Sequence, residues 1–169
     1  MTVPVRKLPQ IRRIVTGHDA EGKGVVWIDG PATNQKFPEP EVTSTLMWVT
    51  DETPADFAAD LDAGERILGT APPAGGTRFC VIEFQPGNKS HLHRTDTIDY
   101  VICMSGEIDM DMDDTTVYMR AGDIMVQRGT GHSWVNRGTE PARLAFVLVD
   151  GKPKRVGSVS GRQHAGSSS

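Results

Sequence analysis

The chain has 169 residues, a formal net charge of −4, and an apolar set that with glycine is average for one globular domain. Its two cysteines form no Cys-x-x-Cys pair, which excludes a disulfide scaffold, a zinc ribbon and a thioredoxin motif. No apolar run approaches a membrane span and Met1–Gln10 holds no secretory core, so a cytoplasmic protein is expected. The charge is uneven. Met1–Arg13 and Gly151–Ser169 hold eight of the 18 basic residues and no acids, and the stretch between them has a balance of −12. An acidic body argues against nucleic-acid binding by the folded part.

In chain order, short β-branched or aromatic runs predict strands near Arg12–Thr16, Val25–Ile28, Thr45–Thr50, Thr77–Phe84, Ile98–Met104, Glu107–Met112, Thr116–Met119, Ile124–Gln127, Ser133–Asn136 and Arg143–Val149. Glycine, proline and paired aspartates separate them, as at Asp29-Gly30-Pro31, Pro86-Gly87-Asn88 and Asp113-Asp114. One helix is predicted, over Pro54–Ala63, with Asp51 or Thr53 as its cap and Phe57 and Leu61 on one face. The stretch after Asp150 is glycine, serine and basic residues, too polar to order itself. Many short strands at even spacing imply an all-β sandwich or barrel.

Glu107–Asp113 alternates strictly, acids on one face and Ile108, Met110 and Met112 on the other. This is a half-buried strand with a wet side. Carboxylates spaced about 6.6 Å apart along an extended strand cannot converge on a calcium ion. Cys80 and Cys103 fall in apolar strands and read as inert core thiols. The methionines read as packing.

Three of the five histidines fall in two short segments. The first runs Pro86-Gly87-Asn88-Lys89-Ser90-His91-Leu92-His93-Arg94-Thr95-Asp96-Thr97-Ile98-Asp99-Tyr100, then Gly106. The second runs from Gly122-Asp123 through Gln127-Arg128-Gly129-Thr130-Gly131 to His132, with Asn136 four residues on. Histidines with one carboxylate suit a first-row divalent metal, and Asp99 and His132 complete a set with His91 and His93. Arg94 and Arg128 are placed to hold a substrate carboxylate or to pair with acids of the body.

These segments resemble the two motifs of the cupin superfamily: Pro-Gly, His-x-His, an acid and a later glycine, then Gly-Asp, a glycine-rich turn, His and Asn. The match spans roughly Thr77 to Val149. It implies an antiparallel jelly-roll β-barrel over residues 76–150, with residues 1–75 supplying extra strands and the short helix, and a disordered tail over 151–169. It departs in two ways: Asp99 replaces the usual Glu, and His91 lies closer to Gly87 than is normal. Two registers follow. One gives His91, His93, Asp99 and His132 as ligands. The other gives His93, Asp99 and His132 with Thr95 nearby, and the intact Asp99–Gly106 spacing favours it.

The resemblance implies a small-molecule enzyme, with Fe, Mn, Ni or Zn serving a lyase, decarboxylase or dioxygenase reaction. His132, Asp99, Arg94 and Tyr100 are the candidate catalytic residues. Two alternatives stand beside it. One is a metal-free enzyme using His132 for acid–base dehydration, cyclisation or isomerisation. The other is a non-enzymatic binding module. A small-molecule substrate and a homodimer are the expected partners, with no nucleic acid and no membrane. The N-terminal basic residues are expected to dock on the acidic body of the second subunit.

Overall fold

The computed structural model describes residues 10–153. Residues 154–169 of the basic tail and residues 1–9, with Arg6 and Lys7, lie outside the described residues. Eleven strands follow in order: β1 (Arg12–His18), β2 (Gly24–Pro31), β3 (Gln35–Glu39), β4 (Val42–Thr50), β5 (Thr77–Phe84), β6 (Thr97–Ser105), β7 (Glu107–Asp111), β8 (Thr116–Arg120), β9 (Ile124–Arg128), β10 (Ser133–Val135) and β11 (Ala142–Asp150). All pairings are antiparallel. A six-stranded sheet runs β3-β4-β5-β11-β6-β9, a three-stranded sheet runs β10-β7-β8, and β1-β2 form a separate hairpin. The fold is an antiparallel jelly-roll barrel.

The main core lies between the two larger sheets. Alternate residues of β5, β6 and β11 point into it, among them Cys80, Phe84, Val101, Cys103, Leu144, Phe146 and Leu148, and the opposite sheet adds Ile108, Met110, Met119 and Trp134. The acidic face of β7 turns outward, where Arg137 bridges Asp109 and Asp111 at 3.0 and 2.6 Å. β4 does not alternate. Its sequence Val-Thr-Ser-Thr-Leu-Met-Trp-Val-Thr is buried nearly throughout. One face meets the barrel interior. Met47, on the other, packs with Ala32, Val81 and Ala145 against Ile11.

The turn from β6 to β7 is a single residue, Gly106, at φ +74°. A side chain there would strike the carbonyl of Pro141, 2.4 Å from the Cβ position, so both backbone conformation and space require glycine.

The predicted helix over Pro54–Ala63 is absent. The segment is irregular, with Phe57 and Leu61 83% and 76% exposed. A short helix depends on burying a face, and this one has nothing to pack on. Asp56 instead accepts from the backbone N–H of Ala58, a local bond that competes with helix. What forms is one 3₁₀ turn, Ala63–Glu65, capped by Asp62. Arg13, 8% exposed, forks onto the same Asp62 carboxylate, and Arg12 pairs with Asp29. Those two arginines are satisfied within their own chain. The sequence also concealed β3, because Pro38 interrupts it; a sheet edge tolerates proline.

Candidate active site

A cavity of about 410 Å³ occupies the barrel interior. Its walls are apolar, with Ile82, Phe84, Trp134, Phe146 and Leu148, and polar groups gather at two places.

The first is the histidine cluster. His93 and His132 face each other across an isolated antiparallel bridge, each backbone N–H donating to the other's carbonyl at 3.0 and 2.9 Å. Direct opposition puts the rings side by side, with centroids 4.4 Å apart. The local chain treats both rings alike. Nδ1 of His93 donates to the His91 carbonyl and Nδ1 of His132 to the Thr130 carbonyl, both at 2.9 Å. A carbonyl only accepts, so in each neutral ring the proton sits on Nδ1 and Nε2 keeps its lone pair. His93 is exposed at the cavity mouth and His132 is 3% exposed within it. Burial lowers the His132 pKa below the usual imidazole value; the Thr130 carbonyl works against this and His93 with it.

Asp99 lies on the inward face of β6, paired in register with Gln127 of β9. Its Oδ1 accepts from the Thr97 hydroxyl at 2.6 Å, and Thr97 is linked to the Thr95 hydroxyl at 2.9 Å. Burial raises the Asp99 carboxyl above the ordinary range, opposed by the Thr97 bond and by His93. A neutral imidazole and a carboxyl that holds its proton unusually well therefore share one cavity.

The structure separates the remaining candidates. Arg94 lines the cavity rim and pairs with Asp96 at 3.9 Å. Thr95 lines the cavity; His91 does not and is exposed. Tyr100 points to the outer face, 48% exposed, because neighbours on a strand face opposite ways and Asp99 points in. Arg128 is outward and exposed. Cys80 lines the cavity as a free, fully buried thiol whose pKa burial pushes up.

Sequence reasoning missed two features. Gln127, 3% exposed, packs its side-chain amide beside the His132 ring and donates to the same Thr130 carbonyl at 3.1 Å, holding that acceptor in place. Its inward parity with Met125 was the available signal. The second feature is the other polar group of the cavity, where Lys36, Ser44 and Arg78 meet.

The metal implied by the resemblance can be tested against the donors present. Two imidazoles carry the Nδ1 anchors that metal-bound histidines use. A first-row centre needs at least three protein donors, yet among the described residues no three His, Cys, Asp or Glu side chains converge to hold an ion. Asp99 lines the cavity without closing the set. The donors do not fit a metal centre as they stand.

The fold and the cavity define a small antiparallel β-barrel protein with an internal site of ligand size. A family model described as a cupin domain matches residues 80–149. The cupin-domain-containing oxidoreductase fogC of Aspergillus ruber is 35% identical over 155 residues, covering 87% of this chain and 76% of that one. The cupin-domain-containing oxidoreductase srdD of Neurospora crassa is 36% identical, covering 88% and 80%. An RmlC-like cupin from Shewanella frigidimarina superposes with a TM-score of 0.50 at 12% identity, covering 71% of this chain and 86% of that one, and shows the shared fold. The chain belongs to the cupin family. Among the described residues no helix is long and apolar enough to cross a membrane.

Proposed function

We propose that the cavity is the active site of a small-molecule enzyme whose core step is proton transfer, with His132 as base and Asp99 as the partnering acid. One observation carries this reading. A buried imidazole with Nδ1 anchored and Nε2 unbound shares a ligand-sized apolar cavity with a carboxyl of raised pKa. Groups whose surroundings shift their proton affinities in this way suit acid–base work near neutral pH. On a carbonyl substrate, Nε2 of His132 takes a proton from the carbon beside the C=O. Asp99 gives one to the oxygen, and the enol forms with no net electron change. The Thr130 carbonyl, itself held by Gln127, fixes the imidazole tautomer, and the Thr95–Thr97 hydroxyls orient the carboxyl. Carbonyl isomerisation, loss of water from a β-hydroxy carbonyl and aldol-type ring closure begin this way.

The test is carbon–hydrogen exchange in D2O, without oxygen or added cofactor, against small aromatic and aliphatic ketones and aldehydes. Deuterium is expected beside the carbonyl of at least one compound, and loss of exchange in His132→Gln and Asp99→Asn. Ketones that bind and never exchange would count against the reading. Metal content of protein purified without chelator is expected well below one ion per chain. A full equivalent, lost on His93→Ala, would restore the metal-dependent lyase or dioxygenase reading.

The relatives called oxidoreductases favour a second reading, redox chemistry in the same cavity. That reaction needs an electron acceptor or donor. Turnover that depends on O2 or a nicotinamide separates it from proton transfer.

A further inference from the structure

Two cations lie in the cavity wall with no ion-pair partner within 4 Å among the described residues. Arg78, on the inward face of β5, is 3% exposed. Its Nη1 donates to the Thr70 carbonyl at 2.8 Å and its Nη2 to the Ser44 hydroxyl at 3.1 Å. A guanidinium has five N–H donors, so one remains on each Nη, and Nε has no partner at all. Lys36, on β3, stands directly opposite Ser44 in the register, so both cations converge on that serine. Its Nζ donates only to the Leu68 carbonyl, at 3.3 Å. Burial and the neighbouring Arg78 both lower the Lys36 pKa, as expected of two like charges sharing a partly dry site.

A buried guanidinium without a carboxylate is costly, and a second cation beside it raises the cost. The carboxylate of Glu39 lines the same cavity, with Oε2 unbonded, but forms no ion pair with either cation. In the register Leu148 of β11 stands between Arg78 of β5 and Asp99 of β6, and Ile82, Phe84, Trp134 and Phe146 complete the apolar wall. The cavity thus has a cationic pole, an apolar middle and an acid–base pole.

We propose that Lys36 and Arg78 bind a carboxylate of the substrate, so that the cavity takes a small, largely apolar organic acid with its reacting carbon held toward His132 and Asp99. The inference extends the active-site reading above by naming the substrate class. The planar guanidinium fork matches a carboxylate, and two cations with no backbone amide cradle leave a phosphate dianion poorly neutralised.

The test compares phenylacetate with phenylacetamide, equal in shape and different in charge, by titration calorimetry. The acid is expected to bind about 10- to 100-fold tighter, the range of a hydrogen bond to a charged group. Arg78→Met and Lys36→Met should each erase most of that preference, and Arg78→Lys should keep part of it. Lys36 is only partly buried, so its variant remains informative if Arg78→Met fails to fold. Equal binding of acid and amide by the unaltered protein overturns the proposal, as does inorganic phosphate competing as well as phenylacetate. Tight phenylacetate binding with no carbon exchange on any ketone keeps the carboxylate site and removes the proton-transfer reading. Exchange on keto amides as fast as on keto acids does the reverse.

Discussion

Asn136→Ala is expected to be among the most damaging single substitutions outside the apolar core. Asn136 is fully buried, four residues beyond His132, where the chain leaves β10. Its Nδ2 donates to the carbonyls of Phe84 and Glu140 at 2.9 and 2.8 Å, and its Oδ1 accepts from the Gly138 N–H at 2.9 Å. One side chain thus joins the end of β5 to the turn before β11. Alanine removes three hydrogen bonds at roughly 1 kcal/mol each and strands buried backbone groups, so the loss is about 3–5 kcal/mol. Against a total stability of about 5–15 kcal/mol that is a large fraction. At roughly 2–4 °C per kcal/mol for a chain of this size, the melting point should fall by about 6–20 °C. Asn136→Asp keeps the shape and replaces the donor by an acceptor facing two carbonyls, so it should be no milder. Urea unfolding followed by circular dichroism reads both. A midpoint shift worth under about 1 kcal/mol, with an unchanged slope, would refute the view that this side chain ties the barrel end together.

Two further outcomes follow from other parts of the fold. Arg13 holds the Asp62 carboxyl below its usual pKa. A depressed folded-state pKa gives stability that is present above the unfolded carboxylate value, about 3.9, and lost as pH falls through the folded one. Asp62→Asn should therefore lower stability at neutral pH and flatten its decline below about pH 4, read as melting point against pH; a parallel decline in both proteins would contradict this. The outer face of β6 and β9 exposes Ile98, Tyr100, Ile102, Ile124 and Val126, an apolar patch with Arg128 opposite Ile98 at its end and an edge strand, among the described residues, along its side, as suits the core of a contact between two copies. We propose that a second copy covers it: sedimentation should give a dimer that Val126→Glu weakens, and a monomer at tens of micromolar would oppose the assignment.

The strands and the histidine pair were legible in the sequence because both depend on local pattern. Short β-branched or aromatic runs marked β5, β6 and β11, period-two alternation set the two faces of β7, and turn residues marked the strand ends. His93, Asp99 and His132 sit where motif spacing placed them, in one cavity. Alternation could also have excluded Tyr100 once Asp99 was turned inward. The helix over Pro54–Ala63 was misjudged because its apolar pair implied a packing surface, and only the assembled chain reveals that none is there. Lys36 and Arg78 were out of reach for a different reason. Strand parity says which way a side chain points from its own backbone. It does not say which other strands point at the same space. Lys36 and Arg78 stand 42 positions apart in sequence and carry no local signal of contact. Pairing β3 with β4, and β4 with β5, brings the two cations over Ser44 and gives the cavity its charged pole. Local chemistry is written along the chain, and the joint chemistry of distant strands exists only after the sheet closes.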